Sequence, residues 1–286
     1  MPTEGATTAT QPGAGASAPA PAPVTVAPAA DAGLTPATAA IVLDGVGYAP
    51  PKHPPILSGI HWTVPTGRFH VLLGRSGCGK TTLLKLAAGL LVPSQGRVRV
   101  EGRALQGPAE GLGFVFQAPT LLDWLTALDN VLLPLSLRGD RDRGRDRALQ
   151  LLDALGLGGL AGRYPRQLSG GQQARVAVAR ALVAAPRVLL LDEPFAALDA
   201  LTREALQEDL AALCARDGIS ALLVTHDIAE SVFLADRVAL MSAGCIVEQV
   251  AVELPRPRPP GIRYDAAFNE HCRVLRAALD RTGSAR

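Results

Sequence analysis

Apolar and polar positions change their period several times along the chain. Ile41-Val42-Leu43 and Ile60-His61-Trp62-Thr63-Val64 alternate as half-buried strands do, on either side of a Pro-rich turn at 49–55. Val98-Arg99-Val100 before Glu101-Gly102 predicts a further strand and turn of the same antiparallel layer. Gly113-Phe114-Val115-Phe116 predicts a short buried strand ending at Gln117. Between 128 and 185 the period becomes helical, with helices expected over 128–137, 146–155 and 170–184. Val188-Leu189-Leu190-Leu191 then reads as a strand buried on both faces. A helix over 201–215, the strand Ala221-Leu222-Leu223-Val224, a short helix after Asp227 and a strand over 237–241 follow. This alternation predicts an α/β fold, a parallel sheet core with an antiparallel β layer and a helical insert at about 118–185. Phe268, Cys272, Leu275 and Leu279 recur at spacings of four, three and four, which predicts a C-terminal amphipathic helix packing its stripe on the domain body.

Composition divides the chain of 286 residues into three parts. Residues 1–40 are dominated by Ala, Pro, Thr and Gly, with Glu4 and Asp31 as their only charges, and are expected to be a disordered tail. Residues 41–253 carry the folded domain, and 254–286 form an Arg-rich extension with the helix just described, read as a solvated basic end. No window of about eighteen apolar residues is present, so any membrane role is expected through a partner. A net charge of +2 gives no argument for nucleic acid. Cys78, Cys214, Cys245 and Cys272 lack the paired spacing of a zinc or disulfide framework. The sign-alternating run at 138–147 is expected to be a solvated loop.

The chemistry starts at Gly74-Arg75-Ser76-Gly77-Cys78-Gly79-Lys80-Thr81, which follows the strand pattern Phe69-His70-Val71-Leu72-Leu73 and precedes a helical run beginning at Thr82. Glycines without a Cβ let the backbone fold around an anion and aim N–H groups at it, beside a helix N-terminus. Lys80 then reaches the β- and γ-phosphates, and Thr81 ligates Mg²⁺, so the loop reads as an ATP or GTP site. Cys78 at this N-terminus is expected to have a lowered thiol pKa. Asp192 and Glu193 end the buried strand 188–191, where Asp192 suits a Mg²⁺ shell and Glu193 a general base acting on water. Leu168-Ser169-Gly170-Gly171-Gln172-Gln173 opens a second helix with a serine and two glycines. Two phosphate-facing helix ends in one chain imply that the second serves the nucleotide of another subunit.

With these segments the chain, over about 41–246, resembles the ATP-binding subunits of ABC transporters. Leu168 to Gln172 matches that family's signature motif, which is more specific than the phosphate loop. The resemblance implies a P-loop NTPase fold of RecA-like type, bound ATP and Mg²⁺, a homodimer of ATPase subunits, and a transmembrane permease fed by a solute-binding protein. It implies a peripheral place on the cytoplasmic face of the membrane. By position, Gln117 resembles the glutamine that senses Mg²⁺ and the membrane partner, Ala197-Leu198-Asp199 the D-loop, His226 the switch histidine, and Tyr48 the aromatic that stacks on adenine. Ala174 stands where many relatives carry glutamine. Residues 121–131, 197–203 and Arg256-Pro257-Arg258-Pro259 resemble importers of nitrate, sulfonates and taurine, although Asp123 stands where those usually have proline. Trp124 is expected either in the core or against the permease. A soluble ABC ATPase of DNA repair or translation is the alternative; such proteins carry coiled coils, zinc modules or two fused ATPase domains, patterns not seen here.

Overall fold

A computed structural model describes residues 39–283. The tail expected over 1–40 therefore lies outside the described residues apart from Ala39 and Ala40, which already open the first strand. That strand, β1 (Ala39–Tyr48), pairs antiparallel with β2 (Leu57–Pro65) and with β4 (Gln95–Val100), and β4 pairs with β5 (Arg103–Ala104). These four form the antiparallel layer.

The second sheet has six strands. Its members are β3 (Phe69–Gly74), β6 (Leu112–Val115), β7 (Val188–Asp192), β8 (Ser220–Thr225), β9 (Arg237–Ser242) and β10 (Cys245–Ala251), in the order β10-β9-β3-β8-β7-β6. All neighbours run parallel except β10, an antiparallel edge strand that the apolar pattern did not predict. Every residue of β3, β7 and β8 is buried, as strands covered on both faces must be. Alternate side chains of β3 serve different cores: Leu72 faces one cluster, Val71 and Leu73 the other.

The cluster around Leu72 contains Leu83, Leu84 and Leu86 of α1 (Lys80–Ala87) together with Ile41, Ile60 and Val98. Helix α1 is thus clasped between the two sheets. The opposite cluster joins the sheet to α2 (Ala127–Ser136), α3 (Arg145–Ala154), α4 (Gly170–Leu182), α5 (Ala200–Asp217), α6 (Ile228–Leu234) and α7 (Ala266–Gly283). Helices α2 to α4 lie between β6 and β7 in sequence.

Two polar stretches differ from expectation. The run 138–147 is not a plain loop: Arg145 already opens α3, Arg141 pairs with Asp129, and Arg147 reaches Asp217 at 3.2 Å. A solvated helix face carries charge as readily as a loop does, so composition alone could not separate them. The C-terminal arginines also turn inward. Arg258 donates to the carbonyls of Val232 (2.9 Å) and Phe233 (2.7 Å), and Arg256 to that of Leu234 (2.6 Å), at the end of α6. Arg263 lies 3.6 Å over the Phe233 ring and bonds Gln207 at 2.8 Å. Along α7, Phe268 and Leu275 are buried while Cys272 and Leu279 pack against the core, as the predicted stripe requires.

Strand order fixes where chemistry can gather. With β3, β8 and β7 adjacent, the register sets Leu73 opposite Thr225 and Asp192 opposite Val224. The carboxyl ends of three strands therefore release residues 75–79, 226–227 and 193 at one edge.

Candidate active site

The loop between β3 and α1 is closed by its glycines. Gly79 has φ 105°, a left-handed conformation, and a Cβ there would stand 2.7 Å from Leu57 Cδ2. At Gly74 a Cβ would stand 2.5 Å from the Met241 carbonyl oxygen and 2.8 Å from Cys78 Sγ. Lys80 is buried and folds back, its Nζ donating to the carbonyls of Gly74 (2.9 Å) and Arg75 (3.1 Å) and lying 3.6 Å from Glu193 Oε1. Arg75 and Ser76 are exposed, Gly77 has φ 80°, and Thr82 is half-buried on α1. One expectation is corrected. Burial pushes the Cys78 thiol up, outweighing Lys80 and the backbone N–H groups that favour the thiolate.

Asp192 and Glu193 diverge. Thr81 Oγ1 donates to Asp192 Oδ1 at 2.9 Å, and burial raises the Asp192 carboxyl above its ordinary range against that hydrogen bond. Glu193 has φ 43°, rare for a residue with a side chain, while its N–H still bonds the Val224 carbonyl at 3.0 Å. This turn sends its carboxylate toward Lys80 and to within 3.1 Å of His226 Nδ1. A small cavity beside them is lined by Glu193, Ala196, Arg203, Thr225, His226, Asp227 and Glu230. The sequence reading missed Arg203 and Glu230. The pattern Asp227-x-x-Glu230 at a helix start was the available signal, and Asp227 Oδ1 does accept from Glu230 N at 3.0 Å.

The remaining candidates fall into two groups. Gln117 leaves β6 exposed, just past the Val115↔Leu191 pair that precedes Glu193 on the neighbouring strand. Half-buried Tyr48 pairs with Leu57, the residue packed under Gly79. Tyr48 thus borders the loop through Leu57, whereas Gln117 stands at the end of the strand beyond Asp192. Ser169, Gly170, Gly171 and Gln172 lie instead at the head of α4, where Ser169 and Gln172 form a reciprocal cap at 3.3 and 2.9 Å. A Cβ on Gly171 would stand 2.6 Å from Thr202 Cγ2, and Thr202 N bonds Asp199 Oδ1 at 3.0 Å. This second group is one surface, signature segment against Asp199. Trp124 is 73 % exposed, which removes the core alternative for it. It is presented by a segment pinned by buried Asn130, whose amide bonds the backbone of Leu122, Leu125 and Thr126. Ala174 is buried in the core, where glutamine would be larger and polar.

Residues 57–196 match the ABC transporter family profile. An aliphatic sulfonates import ATP-binding protein of Pseudomonas putida is 46 % identical across 80 % of this chain and 83 % of its own length. The chain belongs to the ABC transporter ATP-binding family. Another such subunit, from Bacillus licheniformis, is 45 % identical over 71 % of this chain and 80 % of its own length. A dimeric bacterial ABC transporter cassette superimposes with TM-score 0.67 at 32 % identity, covering 75 % of this chain and all (100 %) of the other. A dimeric cassette in a post-hydrolysis state with ADP and Pi does so with TM-score 0.65 at 30 % identity and the same coverage of 75 %. This ABC subunit is accordingly an ATPase of the P-loop fold. None of its described helices is long and apolar enough to cross a membrane.

Proposed function

We propose that the chain hydrolyses MgATP in a head-to-tail homodimer and thereby drives a transmembrane permease for aliphatic sulfonates or a similar small anion. Residues 41–253 form the ATP-binding domain, with 118–185 as its helical insert and 254–286 as an extension. The observation that carries the reading is the gathering at the carboxyl ends of adjacent strands of two contact sets, Thr81 with Asp192 at 2.9 Å, and Glu193 with Lys80 at 3.6 Å and with His226 at 3.1 Å. The loop from Gly74 to Thr82 holds the phosphates, Lys80 leaving its loop carbonyls for the β- and γ-oxygens. Tyr48 stacks on adenine.

The donors fit a magnesium ion. One hydroxyl and one carboxylate, Thr81 and Asp192, already face each other at 2.9 Å, and Gln117 completes the protein's share. No group of three or more His, Cys, Asp or Glu able to hold a metal occurs among the described residues, which suits an ion that keeps water and phosphate ligands. When bound, it neutralises phosphate charge. Glu193 takes the proton of the attacking water, and His226 contacts the γ-phosphate while bonded to Glu193. Ser169, Gly170, Gly171, Gln172 and Asp199 complete the site of the partner subunit. Exposed Trp124 faces the permease from the cytoplasmic side of the membrane, and a solute-binding protein acts through that permease.

The test separates hydrolysis from binding. Glu193→Gln keeps size and hydrogen bonding but removes the base, so hydrolysis is expected to fall by about 10² to 10⁴. MgATP should then hold two chains together on size-exclusion chromatography, whereas Lys80→Ala should neither bind well nor dimerise. Retained hydrolysis in Glu193→Gln would move the base to another residue.

A further inference from the structure

We propose that Glu230 is a positioning residue for His226, acting through the Thr225 hydroxyl, and that Arg203 ties this hold to the loop carrying Asp199. The inference rests on the reading of His226 and Glu193 given above. Its basis is a chain of contacts around the histidine. Thr225 Oγ1 donates to Glu230 Oε2 at 2.6 Å and accepts from Asp227 N at 3.0 Å. One hydroxyl thus fixes the residues on both sides of His226, and Glu230 fixes that hydroxyl. Asp227 Oδ1 returns the constraint by capping Glu230 N. His226, held between them, reaches Glu193 at 3.1 Å.

Glu230 is only 5 % exposed. A carboxylate this buried is costly unless it is used, and an apolar residue would fill the same space without that cost. What it gains here is an acceptor beside the histidine. The charged groups around it come from three elements: Asp227 at the head of α6, His226 after β8, and Arg203 on α5. Arg203 Nε lies 3.9 Å from Glu230 Oε1, and another of its nitrogens lies 3.8 Å from Asp227 Oδ2. Its third nitrogen donates to the Leu198 carbonyl at 2.9 Å, one residue before Asp199. Arg203 Nε is buried with no hydrogen-bond partner. The pair therefore stands just outside bonding distance, across the small cavity that Glu193 and His226 also line. A shift of under about 1 Å in the segment before Asp199 would close it, and Asp199 is placed to feel a second subunit.

Steady-state hydrolysis of MgATP by the full chain tests this. Glu230→Gln keeps an acceptor for Thr225 and should retain kcat within about threefold, as should Thr225→Ser. Glu230→Ala and Thr225→Val should each lower kcat on the order of tenfold with KM for ATP within about twofold, because a misaimed His226 leaves the phosphate loop intact. The double variant should lose no more than either single one. Without nucleotide, amides of 225–230 should exchange faster in Glu230→Ala and Thr225→Val, while those of the phosphate loop at 74–82 keep the parent rate. Unchanged kcat in both variants, losses that multiply, or kcat and KM worsening together with the melting temperature would overturn the inference. If Glu230→Ala does not fold, Thr225→Val against Thr225→Ser decides by the same criteria. An unmodified chain that hydrolyses no ATP overturns the proposed function and this inference with it; indifference to both variants in an active chain overturns this inference alone.

Discussion

Burial acts on His70 and Glu230 in opposite senses. His70 on β3 is 2 % exposed with Nδ1 unpartnered, and burial brings its pKa to about 4, helped by Arg237 and Arg68 and opposed by Asp236. Burial raises Glu230 to about 7, helped by Asp227 and opposed by the Thr225 hydrogen bond, Arg203 and His226. Between pH 4 and 6.5 the unfolded chain binds a proton at His70 that the folded chain refuses, so stability climbs with pH. Between 4.5 and 7 folded Glu230 keeps a proton that the unfolded chain releases, so stability falls with pH. Each effect is on the order of 3 kcal/mol, and the windows nearly coincide. Glu230→Gln should therefore steepen the rise of the urea midpoint from pH 4 to 6.5, and His70→Asn should leave a decline toward pH 7. Slopes unchanged from the parent in both would contradict this assignment. None of this titration was legible in the sequence: His70 stands in an apolar strand pattern and Glu230 three residues after a capping Asp227, but neither position tells how far burial goes. The placing of Lys80, Thr81, Asp192 and Glu193 was legible, because it follows from spacing to a strand end. The raised thiol of Cys78 was not, since nothing in its neighbours tells how closely Gly74 approaches.

Among the elements, α7 is the clearest case of a pattern that survives into packing. Its stripe buries Phe268, Leu275 and Ala278 against the main core, and Arg281 adds a 2.9 Å pair to Glu248 on β10. Truncation after Pro259 should lower the melting temperature by about 5–10 °C, from the loss of the buried side chains of Ile262, Phe268 and Leu275 and their neighbours. Binding to liposomes should not depend on the segment. An unchanged melting temperature together with lost liposome binding would assign the helix to lipid instead. The helix was readable because four apolar residues share one face. Strand β10 was not, because its residues from Cys245 to Val250 are all half-buried and mix Glu248 and Gln249 with valine and isoleucine. Only pairing with β9 makes it a strand.

For the whole molecule, the phosphate loop and the Ser169 surface lie on different elements, one at the sheet edge and the other on the helical insert. In the proposed head-to-tail homodimer a second copy supplies the Ser169 surface to the phosphate loop. A Ser169→Arg chain mixed with a Lys80→Ala chain should form heterodimers with one intact composite site, and ATPase activity should return. No recovery at any ratio, with dimers verified, would count against shared sites. The molecule's two tryptophans, finally, have unlike fates: Trp62 is 4 % exposed between the sheets and Trp124 is 73 % exposed on the insert. A dissolved quencher such as iodide can reach Trp124 and not Trp62. The intrinsic fluorescence thus divides into a colour that reports the integrity of the core and a colour that reports what has settled on the outside.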